Sequence, residues 1–89
     1  MTSNAPDANN PLKVIMEQRL QELEWDFSRL AREYGRLKEH RADVDPNRYR
    51  STVVRIVQHP DRAQLGNVLV CLTALGISLQ AVIRKVDLN

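Results

Sequence analysis

The stretch Asp45-Pro46-Asn47-Arg48-Tyr49-Arg50-Ser51-Thr52-Val53-Val54-Arg55-Ile56-Val57-Gln58-His59-Pro60 decides how this chain folds. Asp45 followed by Pro46 is a helix-start signal, because the Asp side chain can accept a backbone N–H and the proline ring already holds the φ of a first helical position. Tyr49, Val53, Ile56 and Val57 recur at i, i+4, i+7 and i+8, which sets them on one face of a helix running to about Gln58. Thr52-Val53-Val54 and Ile56-Val57 are β-branched and by propensity suit a strand as well. The Asp-Pro start and the helical spacing argue against the strand. Around the rest of the helix stand Asn47, Arg48, Arg50, Ser51, Thr52, Val54, Arg55 and Gln58, polar except for Val54.

Toward the N-terminus, Asp26 caps a second helix whose buried stripe is Phe27, Leu30, Ala31 and Tyr34, with Arg29, Arg32, Glu33 and Arg36 outward. Arg36-Leu37-Lys38-Glu39-His40-Arg41 are adequate helix formers, so this helix is expected to continue past Gly35. A further helix precedes it, with Asn10 as N-cap, Pro11 at the first position and Leu12, Ile15, Met16, Leu20 and Leu23 on one face up to about Glu24. Trp25 is placed to pack the junction between these two helices. Residues 1–10 hold almost nothing apolar to offset ordering entropy and read as a disordered tail.

Toward the C-terminus, Asp61-Arg62-Ala63-Gln64 has capping-box spacing with Asp in the Ser/Thr place, and predicts a fourth helix. Leu65, Val68, Leu69, Leu72 and Leu75 form its core stripe, Gly76 is its natural stop, and Gly66 inside it suggests a close helix approach. The last segment is open to two readings. Leu79, Val82, Ile83 and Val86 fit a fifth amphipathic helix, whereas Ile77, Leu79, Ala81 and Ile83 alternate as a strand does; the β-branched types favour the strand. A lone strand on a helical domain needs a partner for its backbone groups, which a second copy of the chain would supply.

Composition narrows the function classes. Eighty-nine residues make one small domain with limited stability. Cys71 has no second cysteine, so it reads as a small buried hydrophobe in a reducing compartment. His40 and His59 stand 19 residues apart with no metal-ligand spacing and no nucleophile at fixed distance, so both read as loop residues. No apolar run reaches membrane-spanning length and no signal-peptide order is visible, which gives the expectation of a cytoplasmic protein. The net charge of +2 is unevenly spread: residues 12–26 balance to −2 and residues 29–62 to +4. Such a basic cluster is either a solvated face or a nucleic-acid footprint.

Trp25, Leu30, Ala31 and Gly35, then Arg50-Ser51-Thr52-Val53-Val54-Arg55-Ile56, then Leu65, Leu69 and Ala74-Leu75-Gly76 together carry a resemblance. They resemble the helix-turn-helix of the lambda-repressor-like (XRE/Cro-CI) family, whose pattern runs W-x-x-x-x-L-A-x-x-x-G, a short turn, then R-S-T-V-S-R-I. Residues from about 12 to 80 are covered, ungapped from Arg50 to Gly76. The departures are specific. Fifteen positions separate Gly35 from Arg50, an insertion of twelve residues spanning Arg36 to Asn47, so that either the second helix projects or the inserted loop reaches over a DNA backbone. Phe27 stands where the family has a phosphate-contacting Gln, and Val54 where a polar residue often sits.

The resemblance implies a mainly α fold: a four-helix helix-turn-helix domain over residues 11–77, followed by a C-terminal strand or fifth helix in 78–89 used in dimerisation through Leu79, Ala81, Val82, Ile83 and Val86. It implies a nucleoid-associated transcriptional regulator of antitoxin or phage-repressor type, a homodimeric repressor on double-stranded DNA with a palindromic operator. A C-terminal strand looks like that of some antitoxins, which brings in a toxin protein as a candidate partner. No cofactor, metal or small-molecule substrate is implied, and no catalytic constellation is visible. With the third helix in the major groove, Arg50 and Arg55 would read guanine edges, Ser51 and Thr52 bases or phosphates, Asn47 adenine, and Val54 a thymine methyl. Arg29, Arg32, Arg36, Lys38, Arg41 and Arg48 would contact phosphates, although Arg29, Arg32 and Arg36 also read as an ordinary solvated stripe, Thr52 as a local cap and Tyr49 as core. The alternative function is a protein-interaction adaptor that keeps the fold without specific DNA contacts.

Overall fold

A computed structural model describes residues 10–78. It is mainly helical: α1 Pro11–Leu23, α2 Phe27–Glu39, α3 Arg50–Gln58 and α4 Leu65–Ala74, with single 3-10 turns at Pro46–Arg48 and Pro60–Arg62 and no strand among the described residues. The segment holding Leu79, Ala81, Val82, Ile83 and Val86 lies outside the described residues, as does nearly all of the N-terminal tail.

Two of the helix starts follow their caps. Asn10 accepts the Leu12 N–H at 2.9 Å and Asp26 accepts the Arg29 N–H at 2.8 Å, so each first turn has one of its free donors satisfied. α1 ends in a left-handed residue, Glu24 (φ 57°), with the Glu24 N–H donating to Gln21 O and the Trp25 N–H to Leu20 O. This paired closure turns the chain and lays Trp25 against the core at the α1–α2 junction. Gly76 (φ 71°) closes α4 in the same way, through Gly76 N–H to Thr73 O and Ile77 N–H to Leu72 O. Arg19 on α1 donates to the Leu75 carbonyl at 2.8 Å, tying that closure to the first helix.

α2 is the central helix. Leu30, Ala31 and Tyr34 are buried in one cluster with Met16 and Leu20 of α1, Val53, Ile56 and Val57 of α3, Val68, Cys71 and Leu72 of α4, and Leu75 just after it. Burial pushes the Cys71 thiol up to about 12, so it stays neutral and packs as an apolar group.

α2 runs unbroken through Gly35 to Glu39, and His40 (φ 54°) ends it. The long connection neither projects nor swings free. It folds back along α2, where Val44 is buried and Arg36 donates to the Ala42 carbonyl at 2.9 Å. Gly35 makes this possible: a Cβ there would lie 2.5 Å from Val44 Cγ1 and 2.9 Å from Tyr49 Cδ2. Gly35 therefore serves as the seat of the connection, and Tyr49 stacks at a tilt on Tyr34, ring centroids 5.4 Å apart.

Four sequence expectations need correction. Asp45 does cap, accepting the Asn47 N–H at 3.0 Å, but the turn it starts is a 3-10 turn; Tyr49 (φ −117°, ψ 3°) interrupts it and α3 begins at Arg50. Asp61 does not cap α4, because the ring of Pro60 sets up a turn that takes Asp61 into its interior; α4 starts at Leu65 behind Gln64, with no side-chain cap. Leu65 and Leu69 are not core: they are 72% and 38% exposed, whereas Val68, Leu72 and Leu75 of the expected stripe are buried together with Cys71. Nor does another helix approach Gly66, since nothing lies within 4 Å of a Cβ built there.

Candidate nucleic-acid interface

The buried residues of α3, Val53, Ile56 and Val57, fix which way the helix faces. At 100° per residue the outward face is then centred on Ser51, Arg55 and Gln58, with Val54 beside them and Arg50 and Thr52 at opposite edges. Arg50, Ser51, Arg55 and Gln58 are exposed, and Thr52 and Val54 half-buried. Asn47 is exposed on the preceding 3-10 turn, outside the helix on which it was expected to share a face. Gln58 belongs to this surface although it was not singled out as a site residue.

The two arginines of α3 border different clefts. Arg50 faces one of about 510 Å³ between the end of α1 and the start of α2, shared with Trp25 and Phe27. Phe27 is half-buried against the core, and its side chain offers no polar contact. Arg55 and Thr52 face a smaller cleft, about 250 Å³, with Arg62, Gln64 and Asn67. None of these last three was among the expected site residues, because the capping-box reading had put Gln64 inside α4 and Arg62 in its first turn. Their signal lies in Pro60, which takes Arg62 into a separate turn and shifts the start of α4 to Leu65, leaving Gln64 at its N-cap position and Asn67 in its first turn.

This second cleft suits an anion. Two guanidinium groups border it, and the start of α4, a ten-residue helix without a side-chain cap, brings unshared N–H groups and the positive end of the helix dipole. Neither Arg55 nor Arg62 makes an ion pair or side-chain hydrogen bond among the described residues, and the same holds for Arg50. α3 thus displays cations with nothing among the described residues to neutralise them.

The expected phosphate contacts are mostly engaged elsewhere. Arg29 and Arg36 share Glu33, each at 3.1 Å, and Arg29 also lies over the Trp25 ring at 5.0 Å. Lys38 donates to Asn67 Oδ1 at 2.8 Å across α2 and α4, 6.0 Å from the Tyr34 ring centroid. Glu39 collects Arg48 at 2.7 Å, the Tyr49 hydroxyl at 2.7 Å and Arg41 at 3.3 Å. Arg32 alone of the expected six has no such partner among the described residues. Exposed pairs like Arg29–Glu33–Arg36 contribute about 0–1 kcal/mol, less than the roughly 1.5–3 kcal/mol of a charge-assisted bond to phosphate. They are therefore exchangeable, and the stripe on α2 remains open to a polyanion.

Glu39 is different, because it pins the inserted segment. The Arg48 guanidinium, and then the Tyr49 hydroxyl, hold its carboxyl below the ordinary 4.5, and Arg48 and Tyr49 are raised in return. A carboxyl depressed in the folded chain stabilises the fold above its ordinary range and loses that contribution as pH falls through its lowered value. Thermal unfolding of Glu39→Gln is accordingly expected to fall below that of the natural chain at pH 7, with the gap closing as pH drops below 4.5. A gap of constant size from pH 7 to pH 3 would mean that Glu39 acts by shape and not by charge.

No known family model matches the chain, and neither a curated protein nor a solved structure matches it. No helix among the described residues is long and apolar enough to cross a membrane.

Proposed function

We propose that this chain is a sequence-specific DNA-binding regulator, a homodimeric repressor on a two-fold-symmetric operator, with α3 as its reading helix. The observation that carries this is a segregation of charge. The cations of α2 and the connection are, Arg32 apart, tied to neighbours, whereas Arg50 and Arg55 on α3 and Arg62 beside it have no partner among the described residues. Exposed unpaired guanidinium groups on one helix face, with Ser51, Gln58 and the apolar Val54 between them, match the hydrogen-bonding and methyl pattern of a major-groove edge. In this reading Arg62 and the start of α4 hold a phosphate that fixes how far Arg55 reaches, and Arg32 and the exchangeable pairs of α2 follow the backbone.

One module of this kind covers only about 600–1,000 Å². Two copies on a palindrome, with reading helices about 34 Å apart, would supply the missing specificity. The resemblance to antitoxins and phage repressors supports the repressor setting.

The rival reading, a protein-interaction adaptor, draws on the same pairing. Arg29, Arg36, Arg41 and Arg48 already have carboxylate partners, and Phe27 removes the family's phosphate contact at the start of α2. Selection of bound sequences from random duplex DNA separates the two, since an adaptor enriches none.

A further inference from the structure

The cleft at the α1–α2 junction carries a charge that the rest of the described residues do not answer. Its floor is Leu20, Trp25 and Phe27, and its rim holds Glu17, Glu24 and Asp26 against the single guanidinium of Arg50. Asp26 spends one oxygen on the Arg29 N–H, but the carboxylates of Glu17 and Glu24 have no hydrogen-bond or ion-pair partner among the described residues. Elsewhere the acids of the helices are matched: Glu22 with Arg19, Glu33 with Arg29 and Arg36, and Glu39 with Arg41 and Arg48. An apolar floor under an acidic rim selects an occupant that is apolar and basic at once.

The chain holds such a stretch outside the described residues. Residues 1–9 contain no Lys or Arg, whereas Val82-Ile83-Arg84-Lys85-Val86 sets two adjacent cations among three β-branched apolar side chains. We infer that the C-terminal segment of a second copy docks in this cleft, Arg84 and Lys85 meeting Glu17 and Glu24 while the apolar residues cover Trp25 and Phe27.

Geometry favours a second copy over the chain's own end. Ile77 and Ser78 border α1 on the side of Ile15, Arg19 and Glu22, and the cleft opens on the side of Glu17 and Glu24. At 100° per residue these are opposite sides of one helix. A chain filling its own cleft has to cross over α1, whereas two copies exchanging their ends around a two-fold axis fill both clefts with one repeated contact. The inference shares the homodimer with the proposed function but does not require DNA binding, so either can fail alone.

A charge-swap on the full chain tests it. One variant carries Glu17→Lys with Glu24→Lys, the other Arg84→Glu with Lys85→Glu, and circular dichroism checks that each keeps its helix content. Mass is read by light scattering, and cleft occupancy by emission of Trp25, the chain's one tryptophan. The natural chain is expected to be dimeric. Each variant alone opposes like charges at both contacts, which weakens self-association by on the order of a hundredfold and shifts Trp25 emission to the red. An equimolar mixture of the two restores opposite charges at both contacts and is expected to return the dimer and the natural emission. Unchanged mass and emission in Arg84→Glu with Lys85→Glu would overturn the inference. So would restoration of the natural emission only when all four substitutions are placed in one chain, in a monomer, because that puts the segment in its own cleft.

Discussion

Replacing Arg50 and Arg55 together by alanine is expected to remove most discrimination between operator and unrelated DNA while leaving the fold untouched. Both side chains are exposed and neither has an intramolecular partner among the described residues, so unfolding should move by no more than about 0.5 kcal/mol. Each guanidinium that reads a base edge is worth roughly 1–3 kcal/mol of discrimination. Arg55 stands near the centre of the outward face of α3 and Arg50 at one edge, they border different clefts and share no partner, so their losses should nearly add. Titration of labelled duplexes checks this, comparing a selected site with a scrambled one at one fixed salt concentration. An equal loss on both duplexes would show that the arginines contact phosphate alone.

Gly35 and Gly66 give the second large contrast, and it is one of sign. Both sit inside helices, where alanine is favoured over glycine by about 1 kcal/mol. At Gly66 nothing lies within 4 Å of the new methyl, so Gly66→Ala should stabilise by about 0.5–1 kcal/mol. At Gly35 the same methyl meets Val44 Cγ1 at 2.5 Å and the Tyr49 ring at 2.9 Å, neither of which is the free end of a flexible chain. Overpacking of that kind costs about 1–3 kcal/mol, and more when the neighbours cannot withdraw. Val44 is buried and Tyr49 is held by Glu39 and stacked on Tyr34, so Gly35→Ala should destabilise by about 1–2 kcal/mol net of helix propensity. Denaturant midpoints of the two variants should therefore fall on opposite sides of the natural chain. Stabilisation of both would mean that the connection is not seated on α2.

Much of the helical frame was readable in the sequence where a local signal met no competitor. Asn10 and Asp26 cap because their side chains reach donors two or three residues on, and Leu30, Ala31 and Tyr34 share a face narrow enough to leave only one inward orientation. Cys71 and Gly76 also took the places their types suggested. The misreadings arose where two local signals compete. At Asp61 the capping spacing was genuine, but Pro60 imposed a 3-10 turn that moved the helix start to Leu65. At Leu65 and Leu69 the helix is apolar nearly all round, so periodicity could not say which stripe faces inward; contact with α2 and α3 settled it on Val68, Cys71, Leu72 and Leu75. The role of Gly35 depends on Val44 and Tyr49, nine and fourteen residues away, and no local pattern shows such a contact.

The candidate surface was legible to a similar degree. Arg50, Ser51, Thr52, Val54 and Arg55 lie off the buried face of α3 as the spacing of its apolar residues predicts, whereas Asn47 was misplaced because the break at Tyr49 is not encoded in spacing. Arg62, Gln64 and Asn67 were missed for the same reason that the start of α4 was. Pairing partners such as Glu33 for Arg29 and Arg36 followed helical i+3 and i+4 spacing, whereas Glu39 with Arg48 and Tyr49 needed the fold.

The central claim is that α3 reads DNA, and the direct measurement is selection of bound sequences from random duplex DNA by the purified full chain at a stated salt concentration. The expected result is a palindromic consensus whose half-sites lie about 10 base pairs apart, with affinity falling as salt rises and preference at its guanines relaxed in Arg55→Ala. Recovery of no enriched sequence, with no salt-dependent retention on DNA, would contradict the account.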